Sequence, residues 1–273
     1  SSTFSPAGYR EAVRRAIEWI RAGDVYQVNL SQRFEVRSEE DPIELYIRLR
    51  QASPAPFGAY FAADRFSVLS TSPERFLHTS PTGAVQTRPI KGTRPRSDDA
   101  REDRKLALEL QSSVKDRAEN LMIVDLLRND LSRVCRADSV RALDLFRIES
   151  YQTVHHLVST VEGTLKEGRD RPDLLRATFP SGSVTGAPKI RAMEIISELE
   201  PVARGPYCGA MGYMGFGGDM DTSVSIRIAV ASEGRVTFHA GGAVVVDSDP
   251  AAEYEETLDK ARALLSAIPG AER

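Results

Sequence analysis

The sequence predicts an α+β fold built mainly on antiparallel sheet, and three observations carry that prediction. The predicted strands and helices come in mixed order, without regular βαβ alternation. Between residues 26 and 36, apolar side chains such as Val28 and Leu30 alternate with polar ones, which is typical of a half-buried strand. Residues 223–232 and 235–246 flank Glu233-Gly234, the arrangement expected of a β-hairpin.

The other predicted elements follow in chain order. Ser5-Pro6 begins a helix that runs to Arg21 and stops at Gly23. Asp41-Pro42 begins a second helix, which ends near Arg50. The remaining predictions are strands at 57–63 and 66–76, a turn-rich stretch at 79–97, a helix at 98–131 that Ser112-Ser113 can break, helices at 170–178 and 189–200 with a loop at 181–188 between them, a glycine-rich stretch at 207–218, and a last helix that opens at Asp249-Pro250.

Composition and charge disfavour several classes of protein. Hydrophobic residues make up 41% and charged residues 27% of the 273 positions, unlike collagen-like, coiled-coil or disordered chains. With 36 basic and 39 acidic residues the net charge is −3, which argues against a nucleic-acid partner or an anionic membrane surface. No apolar run is long enough to span a membrane. Cys135 and Cys208 form neither a CxxC motif nor a zinc-ligand spacing, which predicts reducing, cytoplasmic surroundings.

Two pairs of carboxylates have a spacing that suits metal binding. Asp116 and Glu119 are three residues apart on one predicted helix, and Glu253 and Glu256 are three apart on another. Each pair therefore lies on one helix face, and four carboxylates together could hold Mg²⁺. Lys260 follows Glu256 by one helical turn. Spacing alone fits solvated helix faces better than it fits a metal site.

Three further residues have the right chemistry for a site. Lys91 stands between proline and glycine in the segment PIKGT, where a desolvated amine can act as a nucleophile, although a surface lysine is the simpler interpretation. Glu74 ends a predicted strand, where burial can raise a carboxyl pKa and produce a general acid. Arg227 falls on a predicted apolar strand and needs a carboxylate, from the protein or from a substrate. His155-His156 fits packing and hydrogen bonding better than metal ligation.

Together these motifs resemble the chorismate-utilising enzymes, which include anthranilate synthase component I, aminodeoxychorismate synthase component I, isochorismate synthase and salicylate synthase. The resemblance runs in order from about Tyr9 to Ile268. The segments that carry it are residues 24–33 (DVYQVNLSQR), 72–76 (SPERF), 87–93 (TRPIKGT), 117–130 (RAENLMIVDLLRND), 186–189 (GAPK) and 253–260 (EYEETLDK).

The resemblance implies both a fold and a domain organisation. It implies two mainly antiparallel sheets packed face to face with helices outside and the active site between them. One catalytic, chorismate-binding domain would span residues 1–273, starting near residue 9 and ending near residue 268. Family members carry an N-terminal half that has no counterpart here, so we expect either a fragment or a short form.

Within the family, the residue at position 91 indicates the reaction. Aminodeoxychorismate synthases carry lysine in PIxGT, whereas anthranilate synthases usually carry alanine, and this chain has Lys91. Isochorismate and salicylate enzymes place a general-base lysine where this chain has Gln27, which disfavours water as the nucleophile. The resemblance therefore implies amination of chorismate at C4 to 4-amino-4-deoxychorismate, toward 4-aminobenzoate and folate.

The resemblance also assigns a role to each site residue. Glu74 protonates the leaving C4 hydroxyl as general acid, and Lys91 attacks C2 as nucleophile. Mg²⁺ is held chiefly by Glu119 and Glu256, with water-mediated support from the other two carboxylates. The supporting carboxylates are Asp116 and Glu253, and the substrate-binding positions are His156, Ser183, Tyr207, Arg227, Gly241, Gly242 and Lys260.

Two departures and two alternatives accompany this hypothesis. Asp116 stands where many relatives have glutamate, and Ala243 replaces a glycine common in the anthranilate branch. The implied partners are chorismate, ammonia and a separate glutamine amidotransferase subunit. The close alternative is an anthranilate synthase component I, which also eliminates pyruvate, and the distant alternative is a non-catalytic domain that binds chorismate or a partner protein.

Overall fold

The computed structural model describes residues 1–271, which fold into two compact units. Unit 1 comprises Ser1–Pro73, Val184–Ala210 and the chain from Ser225 onward. Unit 2 comprises Glu74–Ser183 and Met211–Val224. Each unit has its own sheet and its own helices, so the two are described separately.

The helices begin and end close to the predicted positions. They are α1 (Pro6–Ala22), α2 (Pro42–Ala52), α3 (Ala100–Ser112), α4 (Val114–Ser132), α5 (Arg171–Thr178), α6 (Lys189–Leu199) and α7 (Pro250–Ala267). Ser5 caps α1 by accepting a hydrogen bond from the amide of Gly8, and Gly23 ends it at a φ of 85°. Ser113 ends α3 and caps α4, so the predicted break in that long helix is confirmed. Among the described residues, no helix has the length and apolar character needed to cross a membrane.

The strands are shorter and more numerous than the sequence predicts. They are β1 (Gln27–Arg37), β2 (Phe57–Ala62), β3 (Ser67–Ser72), β4 (Arg75–Thr79), β5 (Ala84–Arg88), β6 (Ile90–Pro95), β7 (Arg141–Ser150), β8 (Val154–Thr164), β9 (Gly186–Ala187), β10 (Ala210–Met214), β11 (Met220–Val224), β12 (Ile228–Ser232) and β13 (Arg235–Val244). The hairpin around Glu233-Gly234 is confirmed as β12 and β13.

Unit 1 is a six-stranded antiparallel sheet in the order β2-β3-β12-β13-β1-β9. Strands β1 and β13 form its longest pair, with Leu30 opposite Gly242 and Phe34 opposite Phe238. The rings of Phe34 and Phe238 stack at 5.3 Å in a core formed with residues of α2 and α7. A second cluster, which includes Tyr9 and Val28, joins β1 to α1 and α6. Both clusters bury apolar area and hold α7 against β13.

Unit 2 is a seven-stranded sheet ordered β10-β11-β4-β5-β8-β6, with β7 paired to the other edge of β8. Strand β8 pairs in turn with β5 and β6 along one edge and with β7 along the other. Helices α3 and α4 pack against β6 and β8. The two mainly antiparallel sheets and the α+β class therefore agree with the prediction.

Two sequence-based predictions fail in detail. The stretch at 79–97, predicted to be rich in turns, contains strands β5 and β6, which form because their backbones pair with the distant strand β8. The glycine-rich stretch at 207–218, for which the sequence predicts no element, contains strand β10. Arg227, predicted to lie on a strand, lies between β11 and β12 with a φ of 50°, so the predicted strand at 223–232 is broken there.

Candidate active site

Unit 2 places the expected general acid, Glu74, at the junction between β3 and β4. Its side chain is 4% exposed, and its carbonyl accepts a hydrogen bond from the amide of Val224 at 3.0 Å. Burial raises the pKa of Glu74 from 4.5 to about 7, against the opposing effects of a hydrogen bond with Ser183, the charge of Lys91 and a backbone hydrogen bond at Ile90. A carboxyl with a pKa near 7 can hold and release a proton at neutral pH.

The expected nucleophile, Lys91, lies on an irregularity in strand β6. Ile90 pairs with Val158 and Thr93 pairs with His156, so two residues of β6 face one residue of β8 between these pairs. Those two residues are Lys91 and Gly92. The bulge changes the direction of the Lys91 side chain relative to a regular strand, and its Nζ donates to the carbonyl oxygen of Ser183 at 3.2 Å.

Gly92 is required at this bulge for two independent reasons. Its φ of 90° lies in the left-handed region, which residues other than glycine rarely adopt. A Cβ at this position would also lie 2.8 Å from Cδ1 of Leu110 and 2.9 Å from Cγ of Asp116. The glycine thus lets the lysine-bearing strand approach the start of α4.

The serine-rich loop and the second histidine complete the polar cluster of unit 2. Ser183 carries both a hydrogen bond to Glu74 and the carbonyl that accepts from Lys91, and its Oγ lies 3.0 Å from Oγ of Ser181. His156 is buried on β8, with its Nδ1 2.9 Å from Oγ1 of Thr93. The structure therefore brings Glu74, Lys91 and Ser183 together, and it places Thr93 within hydrogen-bonding distance of His156.

The two predicted metal ligands of unit 2 lie on the first turns of α4. Asp116 accepts a hydrogen bond from Nη2 of Arg94 at 3.2 Å, which occupies one of its oxygens. Oε1 of Glu119 lies 4.0 Å from Nζ of Lys115. Both carboxylates are partly shielded from solvent, with side chains 16% exposed for Asp116 and 18% exposed for Glu119.

The other two predicted ligands converge in unit 1, where α7 crosses Gly242 of β13. A Cβ built on Gly242 would lie 3.0 Å from Oε2 of Glu253 and 3.2 Å from Oε1 of Glu256. Ser248 donates to Oε1 of Glu253 at 2.6 Å, and Nζ of Lys260 lies 2.6 Å from Oε1 of Glu256. The bare backbone of Gly242 therefore makes a cradle lined by carboxylate oxygens, the ligands preferred by hard divalent cations. Across the described residues, no group of three or more such ligands stands ready-made for a metal.

Strand β13 is paired along one edge only at the two predicted glycines. Its pairing with β12 stops at Phe238, so Gly241 and Gly242 pair only with β1. The opposite edge of this segment is not covered by β12 in the described chain. Backbone amides along such an edge can bind a carboxylate.

Arg227 and Tyr207 supply a cation and a phenol in unit 1. Burial lowers the pKa of Arg227, and no acidic side chain among residues 1–271 forms an ion pair with it. A carboxylate from outside the chain is therefore favoured over a protein salt bridge. The ring of Tyr207 stacks on His239 at 5.1 Å, and burial raises the pKa of the phenol well above 10.

Sequence reasoning missed several groups that the geometry places near the predicted residues. Thr93 belongs to the PIKGT motif, which gives no sign that its hydroxyl lies within hydrogen-bonding distance of the His156 ring. The ion pair of Glu200 and Arg204 was also missed, because Arg204 lies beyond the end of α6, where a four-residue spacing does not predict a contact. Gln27, which the resemblance identifies only as a position where other family members carry lysine, is fully buried, and neither polar atom of its amide finds a hydrogen-bond partner in the described structure. Such an amide is costly unless a ligand satisfies it.

Comparison with known proteins identifies relatives over the whole chain. The family model described as chorismate binding enzyme matches residues 1–266. The chain is 50% identical over 264 residues to aminodeoxychorismate synthase component 1 of Salmonella typhimurium, covering 97% of this chain and 58% of the relative. It is 50% identical to the Escherichia coli enzyme of that name, covering 98% of this chain and 59% of the relative. It is 48% identical to anthranilate synthase component 1 of Thermus thermophilus, covering 98% of this chain and 58% of the relative.

Solved structures agree on the fold. Anthranilate synthase component I from Streptococcus pneumoniae superposes with a TM-score of 0.88 at 37% identity, covering 97% of this chain and 58% of that one. The menaquinone-specific isochorismate synthase of Escherichia coli superposes with a TM-score of 0.88 at 23% identity, covering 98% of this chain and 62% of that one, and shows the fold alone. The chain thus spans about three-fifths of the length of these relatives.

Proposed function

The chain belongs to the family of chorismate-binding enzymes, and we propose that it aminates chorismate at C4 with ammonia to give 4-amino-4-deoxychorismate, toward 4-aminobenzoate and folate. The observation that supports this proposal most directly is the cluster of unit 2. There, a buried carboxyl with a pKa near 7 and the amine of Lys91 both contact Ser183. The 50% identity to aminodeoxychorismate synthases supports the same branch.

Glu74 supplies the proton in the proposed first step. At neutral pH its carboxyl is protonated in a substantial fraction of molecules, because its pKa is about 7. It donates that proton to the C4 hydroxyl, which leaves as water when the C4–O bond breaks.

Lys91 supplies the nucleophile. Its neutral amine forms a C–N bond at C2, both ring double bonds shift toward C4, and the C4–O bond breaks with its electron pair leaving on the hydroxyl that Glu74 protonates. Ammonia then adds at C4 and gives up a proton, both double bonds shift back, and the lysine leaves C2 with the electron pair of the C–N bond. The hydrogen bond from Nζ to the Ser183 carbonyl holds the amine in one direction before attack.

Mg²⁺ is proposed as the cofactor, with Glu119 and Glu256 as principal ligands and Asp116 and Glu253 in support. The cradle over Gly242 fits such an ion, because two carboxylates converge on a position that a side chain would fill. When bound, the ion would neutralise and orient the ring carboxylate of chorismate. Proton transfer, nucleophilic attack and the binding of the other substrate carboxylate are assigned to side chains and backbone amides of the protein.

The carboxylates of the substrate are proposed to bind to polar side chains and backbone amides of unit 1. Arg227 carries a half-buried guanidinium that forms no ion pair within the described residues, and we assign Arg227 and Tyr207 to the binding of a substrate carboxylate. The amides near Gly241 and Gly242 are assigned the enolpyruvyl carboxylate. Lys260 already contacts Glu256 and the Gly241 carbonyl, so it would reach a carboxylate only by exchanging one of these partners. His156 and Ser183 are assigned positions near the ring.

Ammonia is proposed to come from a separate glutamine amidotransferase subunit, since the relatives are named as component 1 of their enzymes. Both cysteines are free and buried, which fits the proposed reducing, cytoplasmic location. The second candidate function is that of an anthranilate synthase component I, favoured by the 48% identity to the Thermus thermophilus enzyme. A non-catalytic binding domain is disfavoured by the raised pKa of Glu74.

The test mixes the purified chain with chorismate, Mg²⁺ and an ammonium salt at mildly alkaline pH and follows the products by mass spectrometry. We expect exchange of hydroxyl for amine with the enolpyruvyl group retained. Loss of pyruvate with blue fluorescence would favour the anthranilate alternative. Chorismate that is bound but unchanged would favour the non-catalytic alternative.

A further inference from the structure

A buried ion pair of unit 1 stands behind Tyr207. Glu200 caps the C-terminal end of α6 and Arg204 follows it by four residues, outside the helix, and the side chains of Arg204 and Glu200 are 14% and 4% exposed. They form a bidentate pair, with Nε of Arg204 donating to Oε2 of Glu200 at 2.9 Å and Nη2 donating to Oε1 at 2.6 Å. Two charges are rarely buried without further hydrogen bonds, because their desolvation is unfavourable.

Arg204 uses every N–H donor that it has. Besides the two bonds to Glu200, Nη2 donates to the carbonyl of Asn29 at 2.8 Å, and Nη1 donates to the carbonyl of Val184 at 2.9 Å and to Sγ of Cys208 at 3.4 Å. A guanidinium has five N–H groups in a fixed plane, and all five have acceptors here. A lysine has three donors on a flexible chain and cannot reproduce this set.

Glu200 fixes the pair to strand β1 of the sheet. Its Oε1 accepts from both the backbone amide and the hydroxyl of Ser31 on β1, at 2.8 and 2.9 Å. The pair therefore connects β1, the end of α6, the segment beginning at Val184 and the loop that carries Cys208. The residues that follow Arg204 on that loop, including Tyr207, are therefore restrained in position.

Tyr207 is held by this loop and by two ring contacts. The guanidinium of Arg204 lies 5.8 Å from the centre of its ring, and His239 stacks on it nearly parallel, with 9° between the planes. The backbone amide of Tyr207 donates to the Arg204 carbonyl at 3.2 Å, and Cys208 adopts a φ of 63° with its amide bonded to the Ser225 carbonyl. Backbone and ring of Tyr207 both depend on Arg204.

We propose that Arg204, fixed by Glu200, is a positioning residue that sets the place of the Tyr207 hydroxyl for a substrate carboxylate. This inference rests on the proposed function, in which Tyr207 binds such a carboxylate. Arg204 itself does not touch substrate, because all of its donors are occupied within the protein. Its effect should therefore appear as weaker binding of chorismate, transmitted through Tyr207.

The test is a double-mutant cycle of Arg204→Lys and Tyr207→Phe, with KM, kcat and calorimetric Kd for chorismate measured for each variant and for the wild type. Arg204→Lys keeps the charge beside Glu200 but loses the planar set of donors. The expected result is a rise in KM and Kd of about tenfold with kcat changed by less than about threefold. In the Tyr207→Phe background, Arg204→Lys should add little further.

The matched control is Arg191→Lys. Arg191 also forms ion pairs from α6 within unit 1, with Asp24 and Glu194, and makes no contact with Tyr207 among the described residues. Its KM should stay at the wild-type value. Glu200→Asp is the second variant, because it keeps both charges and shortens the carboxylate, and it should raise KM in the same direction.

The possible outcomes separate this inference from the proposed function. Additive effects in the cycle, an unchanged KM, or loss of folding in both Arg204→Lys and Glu200→Asp would overturn the positioning role while leaving chorismate amination intact. A wild-type chain that neither binds nor converts chorismate would refute the proposed function, and this inference with it.

Discussion

The positive charge of Lys91 lowers the pKa of Glu74, while burial of the Glu74 carboxyl raises it, and burial is the larger effect. The balance leaves the carboxyl with a pKa of about 7 instead of 4.5. Ser183 links the two residues, since it hydrogen-bonds to Glu74 and accepts from Lys91. An acid that is half protonated near neutral pH thus shares a hydrogen-bonding partner with the proposed nucleophile.

Activity should fall as the pH rises through about 7, because the protonated form of Glu74 is then lost. The measurement is kcat/KM for chorismate across pH 6 to 9 at a constant concentration of free ammonia, which keeps the co-substrate from producing a trend of its own. Glu74→Gln should lower kcat by at least about 100-fold while chorismate still binds. A flat profile up to pH 9 would contradict the general-acid role.

The same carboxyl should destabilise the fold at alkaline pH. Its folded-state pKa is raised, so the folded chain binds the proton more tightly than the unfolded chain does. Stability from this group is fully present below about pH 4.5 and is lost as pH rises through about 7, a difference of roughly 3 kcal/mol. Glu74→Gln, which stays neutral, should therefore unfold at higher urea concentration than the wild type at pH 8.

Glu18→Gln on the exposed face of α1 is the control for that experiment. It removes the same charge without removing a buried carboxyl, so its urea midpoint should track the wild type at both pH 5 and pH 8. If Glu74→Gln gains no stability at pH 8 relative to pH 5, the raised pKa is wrong.

Lys91→Ala should abolish turnover without preventing chorismate binding, since the amine forms the covalent bond and other groups hold the carboxylates. Calorimetric titration with chorismate and a product assay give the two readouts. Lys105→Ala, which removes an exposed lysine paired with Glu102, should leave both unchanged. Full activity in Lys91→Ala would exclude the nucleophile assignment.

Gly92→Ala should destabilise the chain more than Gly23→Ala does. Both glycines have a φ near 90°, but only Gly92 is crowded, by Leu110 and Asp116, whereas nothing lies within 4 Å of a Cβ on Gly23. The backbone term alone costs about 1–2 kcal/mol, and crowding adds about 1–3 kcal/mol. Urea unfolding of both variants measures the difference, and equal losses would show that the contact with α4 does not constrain this bulge.

Gly242→Ala should weaken Mg²⁺ binding, because the new methyl group would press against Oε2 of Glu253 and Oε1 of Glu256. Isothermal titration with Mg²⁺ alone tests this independently of turnover. Gly217→Ala is the control, since its Cβ would meet only Asp219 at an ordinary 3.6 Å. Equal Mg²⁺ affinity in the wild type and Gly242→Ala would argue against a metal at this cradle.

Local sequence signals predict the helices well and the strands of unit 2 poorly. Ser5-Pro6 and Gly23 mark α1 by capping chemistry that depends only on neighbouring residues. Strands β5 and β6 have few apolar residues, β6 includes a proline, and the stability of both strands comes from pairing with β8 far along the chain. Strand β7 is irregular at Asp144 and Phe146, both with positive φ, so its alternation is lost. Such pairing cannot be read from a local window.

The candidate site likewise combines residues that the local sequence predicts with contacts that depend on distant segments. Residue type and motif order point to Glu74, Lys91 and the glutamates, but the contact between Thr93 and His156 depends on a bulge that shifts the register of two strands. The ion pair of Arg204 depends on acceptors from three separate segments. Neither arrangement has a signature within the local sequence.

The measurement that tests the central claim most directly is the intact mass of the protein after mixing with chorismate and Mg²⁺ in the absence of ammonia. The proposed mechanism predicts an added mass equal to chorismate less one water, located by peptide mapping at Lys91 and missing from Lys91→Ala. Amination by the wild type without any such adduct, together with turnover by Lys91→Ala, would contradict it.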